Sequence, residues 1–161
     1  MYFNLFDSHE MTNLVSIITA VHLAALSQIE SGDNDYAVGP QGEVSRYQIE
    51  PKIWRKLLIA KGAHGLPHDR WLAEDLALFL WQSREIEFKN LHKREPNLRE
   101  LYLLWHRPAL MIGHKRSPTK RELERAIGFE NLFKSLWPPA NSASEVTEKL
   151  TGQAASVADA A

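Results

Sequence analysis

Residues 11–30 read MTNLVSIITAVHLAALSQIE, and residues 31–51 read SGDNDYAVGPQGEVSRYQIEP. In the first stretch Leu14, Val15, Ile17, Ile18, Val21, Leu23, Leu26 and Ile29 recur mostly at steps of three and four, as in a largely buried helix. Thr12 or Asn13 is a candidate cap at its start. The second stretch loses that period: Gly32, Gly39, Pro40 and Gly42 stand among polar residues, the mark of an irregular loop. A buried helix therefore delivers Glu30 directly into a glycine-rich loop.

Further along, helical spacing returns four times. Pro51 suits the first turn of a second helix carrying Ile53, Trp54, Leu57 and Leu58 and ending near Gly62. After a short turn, Asp69 is placed to cap a long third helix whose core face is Trp71, Leu72, Leu76, Phe79, Leu80, Ile86 and Phe88. Pro96 opens a short fourth helix with Leu98, Leu101, Tyr102 and Trp105, and Pro108 is expected to stop it. The Ser117-Pro118 pair starts a fifth, with Leu123, Ile127, Leu132, Phe133 and Leu136 as its apolar stripe. After Pro138-Pro139 the chain turns to Ala, Ser, Thr and Glu without an aromatic residue, so residues 140–161 read as a mobile tail. No strand alternation and no internal repeat stands out. The expectation is an all-α fold: one globular domain of about five helices over residues 1–139, with an irregular glycine-rich loop.

Composition narrows the function. With 161 residues and 44% hydrophobic content, one real core is affordable and two are not. Lys plus Arg number 19 against 20 Asp plus Glu, so no global field draws a polyanion, and no recognition motif for nucleic acid is present. Cysteine is absent, which excludes disulfides, thiol nucleophiles and thiolate metal sites. Met1 to Met11 hold no Lys or Arg, a poor fit to a signal peptide, and no stretch reaches the roughly 20 apolar residues of a membrane span. A chain made in the cytoplasm, without membrane insertion, is expected.

A carboxyl group that acts as a general acid must keep its proton near neutral pH, and burial against apolar neighbours achieves that. Glu30, preceded by Ile29 and an apolar helix and followed by a loop able to line a cleft, is placed for it. A solvated glutamate at a helix end is the plainer alternative. The surrounding residues favour chemistry: Glu30-Ser31, Asn34, Gly42 and Gln48-Ile49-x-Pro51 fall without a gap on the catalytic pattern of the soluble lytic transglycosylases. The segment resembles that family, within the lysozyme-like superfamily.

The resemblance implies a lysozyme-like fold and cleavage between N-acetylmuramic acid and N-acetylglucosamine in peptidoglycan. It makes Glu30 the acid and base, sets Ser31 beside the reacting sugar, and gives Gln48, with neighbouring Tyr47, a part in shaping the cleft. No cofactor is implied. Transglycosylases of this kind need no water, because the muramyl C6 hydroxyl attacks intramolecularly and leaves a 1,6-anhydro sugar. Where the family has small or apolar loop residues, this chain has Glu43 and Arg46. Glu43 is a candidate second carboxylate for hydrolysis by water, or else one side of an ion pair with Arg46 that positions the loop. The family's later aromatic segment has its nearest counterpart in Leu104-Trp105-His106-Arg107-Pro108, with Tyr102 and Trp105 candidates to bond near Glu30 or stack on a sugar, and core packing an equal alternative.

Other signals weigh less. His64 and His68 flank Gly65 and Pro67, so they sit on a turn and not at metal-ligand spacing on a helix. His22 reads as a packed histidine, and Asp33-Asn34-Asp35 lacks the glycine and closing glutamate of a calcium loop; Asp33 and Asp35 suit turn roles better than catalysis. No metal is expected. Arg107, Lys115, Arg116, Lys120, Arg121 and Arg125 form a basic run, either a solvated face or a patch that holds an anionic wall polymer. Two classes stay open: an enzyme cutting peptidoglycan or a chitin-like N-acetylglucosamine polymer, reached after release or export, and a non-catalytic helical binding protein. Retention of Glu30 favours the enzyme.

Overall fold

The computed structural model describes residues 18–113 and 116–137. Among these the protein is mostly helical, with α1 (Ala20–Ser31), α2 (Pro51–Lys61), α3 (Arg70–His92), α4 (Leu98–His106), the single turn α5 (Pro108–Met111) and α6 (Lys120–Leu136). The described residues form no strand, only two isolated antiparallel bridges, Val38 with Val44 and Val44 with Ile49. None of their helices is long and apolar enough to cross a membrane. The expected caps Thr12 and Asn13 and the expected tail lie outside the described residues.

Local chemistry sets the helix bounds. α1 begins at Ala20, because Thr19 is extended and donates its N–H to Nδ1 of His22 (3.2 Å), closing a capping box with an imidazole in place of the usual glutamate; the expected helical residues 11–17 lie outside the described residues. Its end comes at Gly32, whose φ of 64° is the left-handed conformation that a glycine adopts freely. Asp69 caps α3 through Leu72 N–H, while Asn97 with Glu100 caps α4 and Thr119 with Glu122 caps α6. Pro108 does more than stop a helix: α4 has already ended at His106, and Pro108 opens α5, where its missing N–H costs nothing.

The core forms where α3, α4 and α6 meet. Leu101, Tyr102 and Leu104 of α4 are fully buried, as are Trp81 and Phe88 of α3 and Phe129 of α6. Each side chain of this size contributes about 1.5–3 kcal/mol by leaving water. Trp81 donates its indole N–H to Leu101 O (2.9 Å) and meets Trp105 and Phe129 edge-on. Four residues expected on the apolar faces lie outside: Trp71 is 77% exposed, Leu123 42%, Ile127 40% and Leu136 47%. Trp71 occupies the first turn of α3, off the Ala73–Leu76–Ala77–Leu80 face, and α6 turns Ala126 and Phe129 inward instead of Leu123 and Ile127. Gly128 admits α1 at close range, since a Cβ there would lie 3.3 Å from Ile29 Cδ1.

The loop between α1 and α2 is tied to itself and to α1. The buried Arg46 side chain donates to Asp33 O (2.9 Å) and pairs with Asp35 (2.9 Å) and Asp33 (3.4 Å). Ser31 donates its hydroxyl to Arg46 O (2.9 Å), and Ser27 is bonded to the Asp33 carboxylate. Val44 and Ile49 exchange backbone hydrogen bonds across a turn in which Ser45 and Gln48 both take positive φ, 69° and 52°.

Candidate functional site

Glu30 stands in the last turn of α1, its side chain 7% exposed, at the floor of a cleft of about 690 Å³. Three helices hold it. Tyr102 of α4 donates its hydroxyl to Oε1 (3.0 Å), and Arg125 of α6 donates from Nη2 to Oε2 (3.0 Å). Burial raises the Glu30 pKa above the usual carboxylate range, Arg125 and Tyr102 oppose that rise, and Glu43 adds a small upward push. Tyr102 is itself fully buried, and burial beside the Glu30 carboxylate raises its phenol pKa, so it remains a proton donor. Arg125 is fixed further by a bond to Ile29 O (3.4 Å) and by lying 6.0 Å above the Tyr102 ring.

His106 Nδ1 lies 4.0 Å from Glu30 Oε1 and its ring stacks on Tyr102 (5.6 Å between centroids). Burial, with Arg125 and Arg107 nearby, pushes its pKa down to about 4, so near neutral pH the imidazole is uncharged and the contact is no ion pair. The 40–50 loop forms the opposite lip with Pro40, Gln41, Glu43 and Gln48, while Trp105 and Arg84 line the α3–α4 side.

Glu43 accepts from Gln41 N–H (2.9 Å) and faces the cleft. The ion pair expected as its alternative is not made: Arg46 is taken up by Asp33 and Asp35. Gln48 and Trp105 line the cleft. Ser31 spends its hydroxyl on loop backbone, Tyr47 is buried in the core at 1% exposure and Tyr102 is fully buried, so none of the three lines the cleft; Tyr102 acts there only through its bond to Glu30. His68 stacks on Tyr36 at 4.9 Å, and no group of three or more metal-ligating residues forms among the described residues. Sequence reasoning did not single out Arg125 or His106. Arg125 carried no signal beyond membership of a basic run, because its contact with Glu30 spans 95 positions.

The fold and the site together define a helical protein with a buried carboxyl group, its pKa raised by burial, lining a polar cleft. Compared with family models, with characterised proteins and with solved structures, the chain finds no match in any of the three.

Proposed function

We propose that this protein is a peptidoglycan-cleaving glycosidase of lysozyme-like fold, with Glu30 as its general acid and base. The observation that carries the reading is the seat of Glu30: buried so that its pKa is raised, lining a cleft, and gripped by two donors that favour its anionic form. In the first step protonated Glu30 gives its proton to the glycosidic oxygen as the bond to the anomeric carbon breaks. The carboxylate left behind gains strength in its bonds from Arg125 and Tyr102, so these contacts favour the transition state over the ground state. In the second step the same carboxylate takes a proton from the attacking hydroxyl.

That hydroxyl is carried by the muramyl C6 carbon; in the alternative route water attacks and a second carboxylate takes its proton. Glu43 on the opposite lip, free of Arg46, supports the water route, since hydrolysis by inversion uses a second carboxylate across the bond. The test is mass spectrometry of wall fragments after incubation with the protein. Anhydro ends mark transglycosylation and reducing ends mark hydrolysis. Glu30→Gln, which removes the titratable proton at nearly constant volume, should lower turnover by at least about 1,000-fold with unchanged circular dichroism. No cleavage by the native protein of any wall or chitin-like polymer would overturn the reading.

A further inference from the structure

One wall of the cleft holds more positive charge than Glu30 requires. Arg107 and Arg116 both pair with the single carboxylate of Glu122, at 3.2 and 2.7 Å. The Arg116 bond and the backbone N–H of Thr119 keep Glu122 well below the usual carboxylate range, so it stays ionised and cancels one of the two charges. Arg121, the preceding residue on α6, lines the same wall, is exposed, and makes no ion pair among the described residues.

Deeper in, Arg84 of α3 donates from Nη1 to Leu104 O (3.3 Å) and Trp105 O (2.8 Å), and its guanidinium lies 5.6 Å above the Trp105 ring. Among the described residues no protein acceptor takes its remaining N–H groups. Burial lowers its pKa to about 10, while Glu50 and Glu87 act on its charge from beyond ion-pair range. Arg84 also lines the cleft, where the planar fork of a guanidinium suits a carboxylate best. No Lys or Arg from the facing 40–53 segment lines the cleft, where Glu43 and Glu50 stand instead. The cleft is thus electrically divided, and a chain lying in it with an acidic substituent meets one favourable orientation.

We propose that Arg84, Arg107, Arg116 and Arg121, which line the cleft outside its 40–53 segment, form a subsite for a carboxylate carried by the glycan, an inference that rests on the glycan-cleaving reading above. Two sources supply that chemistry: the free lactyl ether of a peptide-free muramyl residue, and the acid groups of an attached peptide. Binding is measured by calorimetry on the full-length Glu30→Gln protein, in which turnover is stopped. The probes are an N-acetylglucosamine tetramer, an alternating N-acetylglucosamine–N-acetylmuramic acid tetramer, the same tetramer with its lactyl groups as methyl amides, and the tetramer bearing stem peptides.

At low salt an acidic form should bind about 10-fold more tightly than the amidated tetramer, with the preference shrinking as salt is added. Whichever of the two acidic forms shows the preference identifies its source. Arg121→Gln and Arg107→Gln, each added to the Glu30→Gln protein, should bring the acidic-to-amide ratio toward one. Equal binding of acidic and amidated tetramers overturns the subsite and leaves the glycan reading standing. A preference that survives in both arginine variants also overturns it. Failure of every oligosaccharide to bind removes the glycan reading and the subsite together.

Discussion

Glu30 experiences two opposed influences of known sign. Burial raises its pKa, and the Arg125 guanidinium, 3.0 Å from Oε2, is the largest influence pulling it back. Arg125→Met leaves only the Tyr102 hydroxyl opposing burial, so the pKa of Glu30 should climb further. The alkaline limb of the kcat/KM profile, where the acid loses its proton, should then move to higher pH. The plateau rate should also fall by about 10- to 100-fold, since the carboxylate formed at the transition state loses a donor. A merely structural arginine would lower the rate without moving the limb, and that outcome would defeat the assignment. Glu30 is legible in the sequence because an apolar helix and a glycine-rich loop adjoin it, and Tyr102 is legible as an aromatic candidate near it. Arg125 is not. Its place opposite Glu30 is fixed by how α6 crosses α1 at Gly128, which no local pattern encodes.

At the scale of elements, the loop that forms the cleft's lip depends on one close approach. A Cβ on Gly39 would collide with the side-chain oxygens of both Gln48 and Glu43, two groups that line the cleft. Gly39→Ala should therefore raise KM for a glycan substrate about 10-fold or more while moving Tm by only a few degrees, measured by steady-state kinetics beside differential scanning calorimetry. Unchanged KM would show that the lip plays no part in binding. The later helices were legible because Pro51, Asp69 and Gly62 mark their ends with residues whose backbone preferences are unambiguous. The cap of α1 at Thr19 was not legible, since Thr19 and His22 form a capping box that apolar spacing does not register. Periodicity also finds an apolar side without saying which of two adjacent stripes a neighbour covers, and so Leu123 and Ile127 were expected inside.

Across the whole molecule, acid should loosen the fold through its histidines. His22 packs against Phe133 (4.3 Å between rings) and edge-on to Trp81, and its Nδ1 must be unprotonated to accept from Thr19. Burial lowers its pKa from 6.5 to about 4, with Glu85 opposing, and His106 shifts to about 4 as well. The folded pKa values lie below the unfolded one, so the unfolded chain takes up protons first as pH falls. Stability present above pH 6.5 should decline between 6.5 and about 4, seen as a falling Tm. His22→Gln keeps an acceptor for Thr19 and does not titrate, so the variant should lose less Tm over the same window; an equal loss would exonerate His22. The placement of Glu30 in the last turn of α1 has a wider consequence. That helix has no basic residue in its last turn, and its aligned peptide dipoles leave a partial negative charge there. The backbone's own field thus repels an ionised glutamate, and the helix that carries the acid to the cleft also helps it stay protonated.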